Sequence, residues 1–129
     1  MSPQPHLFND QAPQRIFSLE GRVVLLTGAA GGIALGLAKA FAAAGARLVL
    51  ADLSDAVHER AAQFRDAGAD AISLTFDVTD EAAVAAAVQE AVQRCGRLDV
   101  AVANAGIIVR KHVLELPLAD WQRDRKSVG

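Results

Sequence analysis

Apolar positions in this chain come in short unbroken runs separated by longer stretches with helical spacing. Val23-Val24-Leu25-Leu26 is one such run, ending in Thr27-Gly28. A run this short, without polar alternation, predicts a strand buried on both faces, as in a parallel sheet. From Gly32 to about Ala44 the period changes. Ile33, Leu37, Ala40 and Phe41 fall at i, i+4, i+7 and i+8, which predicts a helix with that face inward, and Gly45 ends it. Arg47 to Asp52 reads as a second strand. "SDAVHERAAQFRDAGAD" reads as a second helix, with Ser54 or Asp55 as N-cap and Gly68 as its stop. Ala71 to Phe76 follows as a third strand. "TDEAAVAAAVQEAVQRCG" is a third helix, with Thr79 or Asp80 as cap, acidic residues in its first turn, Arg94 near its end and Gly96 after it. Leu98 to Ala103 is a fourth strand.

The order β-α-β-α-β-α-β with short links predicts an α/β fold, a parallel sheet with helices on both faces. The expected architecture is a Rossmann-like doubly wound sheet with strand order 3-2-1-4, reversing between the first and fourth strands. That fold is built from two βαβαβ halves, and this chain reads as the first half only. Its fourth strand is then an edge, apolar on both faces, which predicts marginal stability and association of the isolated chain. Residues 1–19 carry three of the four Pro and no apolar period, and read as a flexible N-terminal arm. An apolar stripe should continue after "DWQR", but "DRKSVG" supplies four polar residues in a row and breaks it. Residues 124–129 therefore read as foreign or out-of-frame sequence, leaving 20–123 as a partial Rossmann-like domain.

Composition narrows the function classes. Hydrophobic residues make up 52% and charged residues 22% of the chain, as in proteins that bury a core. The net charge is −2 and no basic block exists, so nucleic acid is not an expected partner. No apolar run approaches the ~20 residues of a membrane span, and the N-terminus has no apolar signal core. The single Cys fits a reducing compartment. A cytoplasmic protein without membrane contacts is the expectation.

The candidate chemistry lies in "TGAAGGIALG", from Thr27 to Gly36. It follows a predicted strand and opens a predicted helix, the context in which a glycine cluster carries meaning. A phosphate needs backbone N–H groups with no Cβ in the way, and a helix N-terminus adds a favourable dipole. Gly28 suits the tight turn, and Gly31 and Gly32 let the backbone approach a pyrophosphate. Asp52 ends the second strand twenty residues beyond Gly32, where an acid binds the ribose 2′-OH of NAD and repels a 2′-phosphate. No Arg or Lys stands in the turn or just after Asp52, so NAD is favoured over NADP. The other reading of Asp52 is a cap for the next helix. Ala34 stands where such a turn places its last glycine, and its methyl is expected to weaken NAD binding without abolishing it.

Taken together, these residues resemble the classical short-chain dehydrogenase/reductase family, from about Phe17 to Arg123. "TGAAGGIA" looks like the family's Thr-Gly-x-x-x-Gly-x-Gly turn. "LADLS" carries the acid ending the second strand, and Asp77-Val78 resembles the pair that contacts adenine. "LDVAVANAG" looks like the strand leading into the Asn-Asn-Ala-Gly motif, with Ala103 in place of the first Asn. The resemblance implies an NAD-dependent oxidoreductase that moves hydride between the cofactor and an alcohol or carbonyl substrate. It assigns to the cofactor site Thr27, Gly28, Gly31, Gly32 and Ile33, then Asp52 and Leu53, Asp77 and Val78, and Asn104, Ala105 and Gly106. From chemistry alone, Asp77 can accept from the adenine amino group. Asn104 can tie neighbouring strand ends together, or serve as plain turn chemistry.

The family's catalytic Tyr, and the Lys four residues later, lie beyond the helix near Pro117. The sequence contains no Tyr. No catalytic residue is therefore assigned, and this chain by itself is expected to be inactive. His6, His58 and His112 show no metal-ligand spacing, and Cys95 reads as a structural thiol. The segment after Gly106 resembles members acting on sugar acids and polyols, such as gluconate dehydrogenases. There Arg110 or Lys111 would meet a substrate carboxylate, or would be plain solvated charge, as Lys126 is read to be. The family's homo-oligomer uses the helix near Pro117 and a later one, so the resemblance leaves oligomerisation open for this chain. A non-catalytic dinucleotide-binding module and a Rossmann methyltransferase remain as other readings.

Overall fold

The computed structural model describes residues 17–106 and, beyond them, Leu118, Ala119 and Gln122, which are helical. Four strands and three helices alternate: β1 (Val23–Thr27), α1 (Gly32–Ala43), β2 (Arg47–Asp52), α2 (Ala56–Asp66), β3 (Ala71–Thr75), α3 (Glu81–Cys95) and β4 (Val100–Val102). The sheet is parallel throughout, in the order β3-β2-β1-β4. This is the α/β doubly wound arrangement expected from the element order. β4 is shorter than the Leu98–Ala103 run implies, and β3 stops at Thr75 rather than Phe76.

The pleat of β1 sets the layers. Val24 and Leu26 face one side, where they join Leu48, Leu50 and Ala71 of the neighbouring strands and Ala34, Ala38, Val57, Ala61 and Phe64 of α1 and α2. Val23 and Leu25 face the other side, with Val49, Ala51 and Leu74 against Ala87 and Ala91 of α3. Both faces of β1 and β2 are thus covered, which explains their unbroken apolar runs. The helices meet the sheet mainly through alanine methyls, so the layers pack closely.

That packing corrects the predicted face of α1. Ala34 and Ala38 are its buried residues. Leu35, Leu37, Phe41 and Ala42 flank them, half-buried, while Ile33 is 76% exposed and Ala40 is exposed. The helix is apolar almost all round, with Lys39 its one charge. Periodicity therefore does not fix its orientation, and close approach to the sheet selects the methyls over the larger side chains. Ala34 is fully buried, with its methyl inside the helix–sheet contact.

The helix ends follow local chemistry. The Asp80 carboxylate accepts from the Ala83 N–H at the start of α3, and Gly96 closes that helix in the left-handed region at φ 81°. At α2 the N-cap position is Asp55, but its side chain makes no capping bond. Ser54 Oγ accepts from Ala56 N instead.

At the amino end of the sheet Asp99 joins β4 to β1. Its N–H donates to the Val23 carbonyl, and its Oδ2 accepts from Val23 N at 2.9 Å. Arg97 grips the same carboxylate through Nε and a terminal nitrogen, and Arg22 adds a third cationic contact. The Arg97 hydrogen bonds, then the Val23 N–H, hold the Asp99 carboxyl well below the usual carboxylate range. Its folded form is the harder to protonate, so its stabilisation is present above about pH 4 and is lost as acid protonates it. Asp99→Asn is expected to lower Tm at pH 7, with the gap to the unsubstituted chain closing as pH is taken down towards 2 in thermal melts followed by circular dichroism. Ala34→Gly, which removes a core methyl and loosens a helix, is expected to lower stability by ~1 kcal/mol in urea titrations; a gain would mean the methyl is strained.

Candidate functional site

The carboxyl ends of β1, β2, β3 and β4 face one crevice, at the point where the strand order reverses. Open α/β sheets place ligands at such points. A cavity of about 550 Å³ lies there, lined by Gly28, Asp52, Leu53, Ser54, Phe76, Asp77, Val78, Thr79, Ala105 and Gly106. Its size is in the range of small-molecule sites. Seven of the residues singled out from the sequence are brought together on this wall: Gly28, Asp52, Leu53, Asp77, Val78, Ala105 and Gly106.

Thr27 and Asn104 stand behind the wall as its framework. Thr27 Oγ1 accepts from the backbone N–H groups of Asn104 and Ala105, both at 3.1 Å, and donates to the Val102 carbonyl at 3.3 Å. Asn104 Nδ2 returns a bond to the Thr27 carbonyl at 3.3 Å. These four bonds lock the end of β4 to the end of β1. Gly28 follows with φ 67°, and a Cβ on it would fall 2.9 Å from Ala105 Cα and 3.1 Å from Asn104 Nδ2. Both the left-handed backbone and the missing side chain are required there.

Gly31, Gly32 and Ile33 sit at the start of α1, with Gly31 as N-cap, and are not on the cavity wall. The first helical bond runs from Leu35 N to the Gly31 carbonyl. The N–H groups of Gly32, Ile33 and Ala34 therefore have no partner within the helix. A Cβ on Gly32 would meet nothing within 4 Å, so the backbone there is open to approach.

Asp52 does more than its spacing suggests. Its Oδ2 accepts from Ala30 N at 3.0 Å, holding the glycine turn, and its Oδ1 accepts from Ser54 N at 2.9 Å. An ionised carboxylate has roughly four acceptor sites, so capacity remains for a ligand hydroxyl. Asp77 Oδ1 accepts from both the N–H and the hydroxyl of Thr79. The Thr79 backbone bond is the larger cause of a carboxyl held below its ordinary range, so Asp77 presents a negative charge to the cavity.

One residue of the site has no signal in the sequence. Arg60, on α2, reaches across to the glycine turn and donates to the carbonyls of Gly31 at 3.0 Å, Ala29 at 3.3 Å and Ala30 at 3.3 Å. It lies eight residues past Asp52 and one turn from the buried Val57, where a charge reads as solvated face. His58 bonds Ser73 Oγ at 2.7 Å, and Cys95 is half-buried against the α3 side of the core. Among the described residues no three His, Cys, Asp or Glu groups converge as a metal site requires, and no helix is long and apolar enough to cross a membrane. His6, Arg110, Lys111, His112 and Lys126 lie outside the described residues.

A parallel sheet of this order, with a glycine turn and an acid at its reversal, defines a dinucleotide-type α/β fold. The short chain dehydrogenase family model matches residues 22–124. The cis-4-hydroxycyclohexanecarboxylate dehydrogenase of Sinomonas cyclohexanicum is 45% identical over 103 residues, which cover 79% of this chain and 41% of that protein. The gluconate 5-dehydrogenase of Burkholderia cenocepacia J2315, solved with NADP and tartrate, superposes with a TM-score of 0.81 at 37% identity, covering 89% of this chain and 46% of that one. The 3-ketoacyl-(acyl-carrier-protein) reductase of Brucella melitensis, solved with NADH, gives a TM-score of 0.77 at 38% identity, covering 85% of this chain and 45% of that one. The chain belongs to the short-chain dehydrogenase/reductase family of oxidoreductases. It spans about two fifths of the length of the curated relatives it matches.

The Thr27 hydroxyl gives a direct test of the framework. Thr27→Val keeps the shape and strands the two N–H groups of Asn104 and Ala105, and is expected to destabilise by ~1–3 kcal/mol. In amide exchange the loss should concentrate at β4 and at residues 104–106; uniform loosening of the sheet would contradict the assignment.

Proposed function

We propose that the crevice holds a nicotinamide dinucleotide, and that residues 20–123 are the cofactor-binding part of an NAD-dependent oxidoreductase acting on an alcohol or carbonyl. The observation that carries this reading is the convergence of Gly28, Asp52 and Asp77 on one cavity at the strand reversal, beside the free N–H groups that open α1. Those N–H groups and the helix dipole suit a pyrophosphate. Asp52, already fixed by Ala30 and Ser54, offers its remaining lone pairs to the adenosine ribose. Leu53, 73% exposed at the cavity rim, and the half-buried Val78 offer apolar surface to an adenine ring, with Asp77 as acceptor for its amino group. When bound, the nicotinamide supplies or accepts hydride at C4.

The preference for NAD over NADP is part of the proposal. A 2′-phosphate beside Asp52 meets like charge, and Arg60, the cation that among the described residues bonds the turn, is committed to three carbonyls. The solved relatives include one with NADP and one with NADH, so the cofactor choice rests on these residues and not on the resemblance.

The family's catalytic Tyr has no counterpart in this chain, which contains no Tyr. Hydride transfer is accordingly proposed for the whole protein, on an alcohol or ketone of sugar-acid or polyol type, and this chain alone is proposed to bind without turnover. The same absence supports a second reading, a dinucleotide-binding module without catalysis. A longer chain that supplies the Tyr and Lys, tested with gluconate and polyols, separates the two: NADH production supports the enzyme, and binding without turnover supports the module.

Fluorescence titration of the chain is expected to show NADH binding at least about tenfold tighter than NADPH. Asp52→Asn is expected to narrow that ratio by about tenfold, because it removes the charge that repels the 2′-phosphate. Equal affinities before substitution would contradict the NAD preference.

A further inference from the structure

Arg60 has three hydrogen bonds to backbone and, among the described residues, no ion pair with a carboxylate. Its acceptors are the consecutive carbonyls of Ala29, Ala30 and Gly31, the three peptides that lead into α1. In a planar trans peptide the C=O of one residue and the N–H of the next point in opposite directions. Fixing those carbonyls on the Arg60 side therefore fixes where three N–H groups point. Two of them are consumed in building the turn: Ala30 N–H goes to Asp52 Oδ2 and Gly31 N–H to the Gly28 carbonyl at 3.1 Å. The third, Gly32 N–H, has no partner within the helix and is left on the opposite side from the guanidinium. Gly31 O also accepts the first helical bond, from Leu35 N at 3.3 Å, so Arg60 bonds the atom on which α1 starts. Asp52 and Arg60 thus hold the turn from its N–H side and its carbonyl side respectively.

We propose that Arg60 is a positioning residue for the cofactor's pyrophosphate: its planar fork holds the carbonyl side of the turn so that the Gly32 N–H and the helix opening behind it stay presented to the anion. The proposal rests on the reading of the crevice as a dinucleotide site. Lys carries the same charge on a single ammonium and cannot span three carbonyls with a planar fork. The role is therefore distinct from simple attraction of phosphate by a nearby cation.

The test compares the chain with Arg60→Ala and Arg60→Lys, using NADH, ADP and adenosine as probes in ligand-observed NMR and fluorescence titration. Both variants are expected to bind NADH and ADP about tenfold more weakly and adenosine unchanged, because only the phosphate-bearing ligands use the turn. Unchanged NADH affinity in Arg60→Ala overturns the proposal. So does an equal loss for ADP and adenosine, which is what a merely structural role would give, or full recovery of NADH binding in Arg60→Lys, which would make charge the operative property. Amide exchange without ligand reads the clasp separately. Gly31 and Leu35 are expected to exchange faster in Arg60→Ala, and no change there overturns the clasp. If the unsubstituted chain fails to bind NADH while the exchange effect appears, the dinucleotide reading has failed, the pyrophosphate role falls with it, and only the clasp stands.

Discussion

The whole carboxyl end of the sheet depends on how closely the chain leaving β1 passes the chain leaving β4. At Gly28 the two backbones are so near that no Cβ fits between them, and the Thr27 hydroxyl bonds three backbone groups across the gap. A hydroxyl can donate once and accept twice, and here all three capacities are used. This closure forms the floor of the crevice. It also fixes where the glycine turn begins, and hence where α1 points its first N–H groups. Because α1 and α2 cover one face of the sheet and α3 the other, β1 and β2 are buried on both sides, and the β1 side of the floor rests on packed core.

On that floor the turn is held by side chains from elements that follow it in sequence. Asp52 comes from the end of β2 and accepts the Ala30 N–H, while Arg60 comes from α2 and binds the carbonyls of Ala29, Ala30 and Gly31. The arrangement accounts for a turn with a defined shape before anything binds, which lowers the ordering cost of binding. It also places two carboxylates on the cavity wall, Asp52 and Asp77, at the end proposed for the adenosine. The open helix N-terminus provides the opposite polarity at the end proposed for the phosphates. A dinucleotide, with an electroneutral adenosine and an anionic pyrophosphate, matches that division of charge.

Much of this was legible in the sequence. The unbroken runs at Val23–Leu26 and Leu48–Ala51 announce strands covered on both faces, and the glycines after each helix mark its end, so the element order and the strand order 3-2-1-4 follow from connection rules. The spacing from the glycine turn to Asp52 located the wall on which Leu53, Asp77 and Ala105 also lie. The facing of α1 was not legible, because a helix apolar all round has no stripe to read, and the buried positions went to Ala34 and Ala38 instead of Ile33 and Ala40. Ala34, which spacing puts at the turn's last glycine position, has its methyl inside the helix–sheet contact and off the cavity lining. Arg60 was not legible either. Its partners are main-chain carbonyls, which have no sequence identity, and they lie about thirty residues away.

The central claim is that a nicotinamide dinucleotide occupies the crevice at the β1–β4 reversal. Backbone amide shift mapping of the isotope-labelled chain with NADH tests it most directly. The account predicts that perturbations cluster at Gly28, Gly32, Ile33, Leu53, Val78, Ala105 and Gly106. Perturbations confined to the opposite end of the sheet, around Gly21, Gly68 and Arg97 where a second cavity lies, or none at saturating NADH, would contradict it.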